Sequence, residues 1–336
     1  MVRRLLAVVL AVAAVTVGLA SCGGDGDRLT VYSGRTENLI GPLLQRFNEE
    51  TGTPVDVRYG DSADLALLIE QEGSRSPADV FLSQSPGALG FLAGAGRLRP
   101  LRPDVLERVS EGFESSQGLW VGLSGRVRVL VYNTDEVDPA DLPSSVFDLT
   151  DPRFEGRVGV APNNGSFQDF VTAMRQTEGD EVALRWLEGM AANDSPTYAN
   201  NTAIVQAVAR GEVPLGLVNH YYNERQLAED PGSPSANHFF PGGDLGSLVL
   251  VTGVGVVEAS DRADDAQRLV RFLLGEEAQT FFSEETFEYP LAAGVEPAAA
   301  LRPLDQLPTR RIDLNELGGG LERTTELIAR SGLEDT

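Results

Sequence analysis

The chain has 336 residues, a formal net charge of −23, 27 basic residues that are all arginine, one cysteine and two histidines. Such acidity argues against nucleic acid and anionic lipid as partners, and the cysteine and histidine counts exclude disulfides and a Cys/His zinc site. The lack of lysine, read as genome composition, removes a Walker lysine, Schiff-base lysines and lysine general bases.

The charged start Met1-Val2-Arg3-Arg4 and the apolar or small run from Leu5 to Ala20 read as an export signal. The run ends in Leu19-Ala20-Ser21-Cys22, which resembles the bacterial lipobox, where the cysteine is acylated and becomes the new N-terminus. Residues 1–22 are therefore expected to be a lipoprotein signal peptide and Gly23 to Asp27 a flexible tether. That makes the protein extracytoplasmic, lipid-anchored through Cys22 to the outer face of the cytoplasmic membrane. Roughly 310 residues remain, more than one core usually holds, so two lobes are expected.

Leu29 to Tyr32 reads as a strand, followed by the turn Ser33-Gly34-Arg35. Asn38 to Glu50 carries a helical stripe of Leu39, Ile40, Leu43, Leu44 and Phe47, closed by Thr51-Gly52. Pro54 to Tyr59 is a second strand, Gly60-Asp61-Ser62 caps a helix from Ala63 to Glu72, and Ala78 to Leu82 is a third strand. This alternation implies a parallel sheet covered by helices, with ligands outside the carboxyl ends of the strands. Arg126 to Tyr132 is a long strand that fits a crossover into another lobe. There, Val158 to Ala161 is a strand, and helices are expected from Gly165-Ser166, from Glu181 to Met190 and from Thr202 to Arg210. Leu248 to Thr252 reads as the return strand and Ala266 to Leu274 as a helix back on the first lobe. The expected organisation is α/β and two-lobed, with residues 28–127 and 252–302 in one lobe and 128–251 and 303–336 in the other. The ligand cleft lies between the lobes, and two crossover strands form the hinge.

Catalytic constellations are missing. Gly122-Leu123-Ser124-Gly125 lacks the Gly-x-Ser-x-Gly spacing, Gly253-Val254-Gly255 lacks a third glycine, and His238 beside Phe239 and Phe240 reads as a structural imidazole. Asn163-Asn164-Gly165-Ser166-Phe167 places free N–H groups at the positive end of a helix dipole, where an anion could sit. Ser166 with Asp169 also fits a plain capping box. Asn201, in Tyr198-Ala199-Asn200-Asn201-Thr202, reads either as a cap or as a ligand contact.

Asn219-His220-Tyr221-Tyr222 directly follows the apolar run Val213 to Val218. Inside a strand, adjacent tyrosines would point to opposite faces. At a strand end both phenols can converge on one point, and two phenolates suit a hard, highly charged cation such as Fe(III), whose field removes the phenol proton. The alternative is one core aromatic beside one half-exposed aromatic.

Taken together, Val31-Tyr32-Ser33-Gly34-Arg35, Gly60-Asp61-Ser62-Ala63, Ala78-Asp79-Val80-Phe81, Leu123-Ser124-Gly125-Arg126, Asn164-Gly165-Ser166-Phe167, Asn219-His220-Tyr221-Tyr222 and Glu288-Tyr289-Pro290-Leu291 occur in order. The chain strongly resembles the bacterial periplasmic ferric-iron-binding proteins, the substrate-binding components of Fe(III) ABC transporters. The resemblance implies a periplasmic-binding-protein fold of the class II type and a monomeric binding protein, not an enzyme. It assigns Fe(III) to Tyr221 and Tyr222, and a synergistic anion, carbonate or phosphate, to Asn164, Gly165, Ser166, Asn201 and Asn219. An ABC permease is the implied partner. Two departures stand out: Thr36 occupies the place of a family histidine, and Gln84 that of a family glutamate. Tyr59 reads either as a third phenolate or as a tyrosine buried under the first helix pair. Arg35 reads either as a bidentate partner of the anion or as half of an ion pair with a carboxylate. The rival readings are a protein of the same architecture for a phosphonate, thiamine or polyamine, and an extracellular hydrolase.

Overall fold

The computed structural model describes residues 28–109 and 112–335. The expected signal peptide, Cys22 and the expected tether lie outside the described residues.

The first βαβαβ run is β1 (Leu29–Ser33), α1 (Glu37–Thr51), β2 (Val55–Tyr59), α2 (Ser62–Glu72) and β3 (Val80–Ser83). As expected from the stripe, α1 buries Leu39, Ile40, Leu43, Leu44 and Phe47, and it stops at Gly52, whose φ of 68° is the left-handed cap that glycine adopts without strain. Then come α3 (Pro86–Gly94), β4 (Leu98–Arg99), α4 (Pro103–Leu106) and the long β5 (Trp120–Asn133). The next segment holds β6 (Val158–Gly159), α5 (Gly165–Glu178), α6 (Asp180–Ala192), α7 (Asn201–Ala209), β7 (Leu215–Asn219), α8 (His220–Glu229) and β8 (Ser235–His238). The chain returns through β9 (Val249–Val257), α9 (Ala263–Leu273), α10 (Glu276–Glu284) and β10 (Tyr289–Pro290), and ends in α11 (Leu321–Ser331).

The strands run in the order β2-β1-β3-β9-β5-β7-β6, with β1 parallel to β2 and β3 and β6 parallel to β7. This is a mixed α/β, two-lobed architecture. The strand β5 belongs to both halves. From Trp120 to Val127 it pairs with β9, and from Arg128 to Asn133 with β7 and β8. Where the pairing changes partner, the Arg128 N–H donates to the Leu248 carbonyl at 2.9 Å, so the two crossing segments bond to each other. Almost all of β5 and all of β9 are buried, which explains why they read as near-continuous apolar runs.

The C-terminal segment is not confined to one half. A 3₁₀ turn at Leu314–Gly319 packs on α3 so closely that a Cβ on Gly90 would lie 2.6 Å from Gly318 Cα. The following α11 packs on α5 and α6, with Arg175 Nη1 donating to the Gly320 carbonyl at 2.7 Å. Residues after 303, expected with the second lobe alone, touch both.

Candidate functional site

Three helices of the second half, α5, α7 and α8, bring their N-termini together. The first and third start at the carboxyl ends of the parallel pair β6 and β7, the ligand-facing side of an open α/β sheet. Ser166 is the hub. Its hydroxyl donates to Asn164 Oδ1 at 2.6 Å and accepts from Asn219 Nδ2 at 3.1 Å. Asn201 Nδ2 and Arg128 Nη1 lie at 3.5 Å. Asn164, Gly165, Ser166, Asn201 and Asn219 are thus brought together as a set. The positive ends of the three helix dipoles make this a place for negative charge.

The caps are not those the sequence suggested. Asn164, not Ser166, caps α5, accepting from the Ser166 N–H at 3.1 Å. Asn200 caps α7, accepting from the Ala203 N–H at 3.0 Å, which leaves Asn201 facing the hub. Asp169 forms no capping box. It accepts from Ser85 Oγ at 2.7 Å, reaching from α5 to the loop after β3 and tying the two halves together. Burial pushes the Asp169 carboxyl up to about 7, against the pull of Ser85 and of Arg126 and Arg128.

The adjacent tyrosines lie in the first turn of α8, two and three residues beyond the end of β7. Their rings stack, with centroids 4.1 Å apart and planes at 28°. Tyr221 is buried and Tyr222 half-buried, and among the described residues no protein group bonds either phenol oxygen. Burial, then Tyr222, then Glu288 push the Tyr221 phenol well above its ordinary value, while Arg126 and Arg35 pull it down. The proton therefore leaves only when a strong positive charge arrives in its place.

Arg35 does not contact the anion hub. It is fully buried in an ion pair with Glu288, Nη1 to Oε1 at 3.0 Å and Nη2 to Oε2 at 2.5 Å, and also donates to Thr252 Oγ1 at 2.9 Å. The anion reading of Arg35 gives way to the ion-pair reading, because the bidentate face of its guanidinium is taken. Glu288 further accepts from Ser124 Oγ at 2.8 Å and Thr286 Oγ1 at 2.9 Å. Burial opposes its charge, but Arg35, Ser124 and Arg126 outweigh that and hold the carboxyl below the usual glutamate range.

Tyr59 is likewise elsewhere. It is 39% exposed and lines an open groove with Glu37, Asn38 and Gly41 beside α1, neither under the helix pair nor in contact with the tyrosine pair. Thr36 Oγ1 donates to Asn38 Oδ1 at 2.5 Å. Gln84 offers its backbone carbonyl to Arg126 Nη2, and its side chain is half-buried. His238 Nε2 bonds the Pro143 carbonyl at 2.8 Å, a structural role.

Arg128 is the residue that sequence reading passed over. It is buried, packed over the rings of Phe167 and Phe170 at 5.5 and 5.2 Å, and no carboxylate lies within ion-pair distance among the described residues. Burial and then the neighbouring Arg126 charge push its guanidinium down to about 9. The signal was present: Arg126-Val127-Arg128 puts two arginines on one face of an otherwise apolar strand. Buried cations of this kind need a counter-charge. Among the described residues no three His, Cys, Asp or Glu side chains cluster as a metal site.

Two α/β lobes with polar helix termini gathered on one of them fit a solute-binding protein. Comparison with known proteins agrees: residues 75–317 match the family model for bacterial extracellular solute-binding proteins. The major ferric iron-binding protein of Neisseria meningitidis serogroup B is 33% identical over 311 residues, covering 91% of this chain and 93% of that one. Iron-bound HitA from Pseudomonas aeruginosa superposes with a TM-score of 0.87 at 35% identity, covering 91% of this chain and 99% of that one. The Trichodesmium protein IdiA (FutA), in complex with iron and citrate, superposes with a TM-score of 0.76 at 30% identity, covering 91% and 99%. The chain belongs to the bacterial extracellular solute-binding protein family, in the branch of the periplasmic ferric-iron-binding proteins. It is a binding protein and not an enzyme.

Proposed function

We propose that this protein binds Fe(III) in the interlobe cleft through the phenolates of Tyr221 and Tyr222, together with an exogenous anion, and delivers it to an ABC permease. The observation that carries the reading is the stacked tyrosine pair with unbonded phenol oxygens beside the Ser166 hub. The donor set fits. Two tyrosinates leave most positions of Fe(III) open, and Thr36 and Gln84 stand where family members place a histidine and a glutamate. The remaining positions fall to an anion such as carbonate or phosphate, or to a chelate such as citrate. Asn164, Gly165, Ser166, Asn201 and Asn219 hold it, and Arg128 supplies the countercharge. A citrate complex accompanies iron in the structurally similar Trichodesmium protein.

The cation pulls the halves together, because only the closed form completes its coordination, and closure keeps the Tyr221 phenol under the field of Arg126 and Arg35, which eases loss of its proton. Cys22, acylated, keeps the protein at the outer face of the cytoplasmic membrane, and a multiply acylated cysteine anchors far more firmly than a single chain. Cys22→Ser should therefore release it into the soluble fraction.

The test of the function is a ferric titration in anion-depleted, weakly coordinating buffer, repeated with bicarbonate, phosphate or citrate. A visible charge-transfer band that develops strongly only with an added anion is expected. Absence of any band under all conditions rejects iron and selects a colourless organic or oxyanion ligand at the same hub.

A further inference from the structure

His220 is buried at 1% exposure between the hub asparagine and the tyrosine pair, and binding as described leaves it without a role. Its surroundings are specific. The pairing of β5 with β7 ends with Arg128 opposite Asn219. The next β7-side residue is His220, where the chain turns into α8. Val127, the last β5 residue paired with β9, thus loses the backbone acceptor a longer β7 would provide. The imidazole replaces it: the Val127 N–H donates to His220 Nδ1 at 3.2 Å. With Nδ1 accepting, the ring proton sits on Nε2.

The ring also faces the first lobe. It stacks on Tyr289, centroids 5.0 Å apart and planes at 26°, and Tyr289 belongs to β10, which pairs with β5 at Gly125. The Tyr289 hydroxyl is itself fixed, donating to the Arg302 carbonyl at 2.9 Å. On its other side His220 meets the Tyr221 ring edge-on, 6.0 Å away at 83°. From β8, Asn237 Nδ2 holds the His220 carbonyl at 3.0 Å. One side chain therefore touches the amide where β5 passes between halves, a ring of the first lobe and the first tyrosine of α8.

We propose that His220 is a positioning residue that registers Tyr221 against the first lobe, through its Nδ1 bond to Val127 and its stack on Tyr289. Any rotation of the lobes about the crossing must move Tyr289 relative to α8, and His220 is the contact that carries that movement to the tyrosines. The inference rests on the tyrosine reading of the cargo site. Groups that orient a metal ligand without touching the metal typically cost about 10- to 100-fold in metal affinity when removed.

The experiment titrates wild type, His220→Ala, His220→Asn and His220→Phe with ferric citrate, following the visible band and the affinity, with thermal unfolding of each apo-protein alongside. Asn places Oδ1 near the position of Nδ1 and keeps the acceptor, whereas Phe keeps a stacking ring without it. The expected result is a displaced band and an affinity lowered about 10- to 100-fold for Ala, largely restored in Asn, with Phe remaining displaced and weak. If the Ala variant does not fold, the contrast of Asn with Phe decides alone. Identical bands and affinities for Asn and Phe, or a wild-type band in Ala whatever its unfolding midpoint, overturn the proposal. A colourless wild type overturns the tyrosine reading first and this inference with it; a coloured wild type with unaffected variants overturns only this inference.

Discussion

The two faces of the cleft use their polar groups differently. On the second-lobe face, acceptor atoms have valence left over: Asn201 Oδ1 and Asn219 Oδ1 are buried without partners, and both phenol oxygens are unbonded among the described residues. On the first-lobe face the buried carboxylate is fully held, Glu288 being bound by Arg35, Ser124 and Thr286, and Arg126 and Arg35 share Thr252 Oγ1. Open valence inside a protein is costly unless something fills it. In the proposed function the second-lobe face holds the cargo directly, and the first-lobe face acts through its field and by closing over it.

The largest expected effect comes from breaking the closed network. Glu288→Ala leaves Arg35 as an unpaired buried charge and should cost about 3–5 kcal/mol of stability, read by denaturant unfolding. Replacing both partners, as Arg35→Met with Glu288→Leu, should recover most of that loss, since two well-packed apolar groups carry no desolvation penalty. No recovery would show that the pair does more than satisfy itself.

The open face should respond in the opposite sense. Arg128→Met removes a buried cation that has no protein counter-ion, so unfolding stability should hold or rise. The gain in iron affinity on adding phosphate or bicarbonate should shrink by about tenfold, as for loss of a charge-assisted contact. Lower stability with an unchanged anion effect would place Arg128 among the structural charges instead.

The Ser85–Asp169 bond joins the two halves, and burial of the Asp169 carboxyl makes folding stability pH-dependent. The folded-state value of Asp169, about 7, lies above its ordinary 3.8. The stability it contributes is thus present in full below pH about 4 and lost as pH rises through about 7. Asp169→Asn should flatten stability across that window and raise it at pH 8 by on the order of 2 kcal/mol. An unchanged pH profile would mean that the carboxylate is solvated where it lies.

The smallest effect is expected at Tyr59. Being exposed beside α1 and away from the tyrosine pair, Tyr59→Phe should leave the affinity and the charge-transfer band unchanged. A lost band would mean that this ring swings into the cleft on closure.

Much of this was legible in the sequence because it follows local rules. The α1 stripe, the glycine stop at Gly52 and the apolar crossover runs all came from periodicity and caps. The tyrosine pair and the asparagine turns were found because unusual residues sat at the ends of apolar strands. The pairing of charges was not legible. Arg35 and Glu288 are 253 residues apart, and nothing in local spacing says that one of fifty carboxylates will close on that guanidinium. Asp169 misled for the same reason: Ser-x-x-Asp is a capping pattern in any isolated helix, and only the loop at Ser85 draws the carboxylate away. Arg128 is not singled out by a strand that reads as a crossover, because nothing in local spacing says that its guanidinium is buried without a carboxylate.

The most direct measurement is the visible spectrum and iron affinity of the Tyr221→Phe, Tyr222→Phe double variant beside wild type, titrated with ferric citrate plus bicarbonate. Each substitution removes one unbonded oxygen and keeps the ring stack, so unfolding stability should barely change. If the pair ligates iron, the wild type gains a tyrosinate-to-iron band and the double variant loses both the band and nearly all affinity. A double variant that keeps its colour and its affinity contradicts the assignment of Fe(III) to Tyr221 and Tyr222.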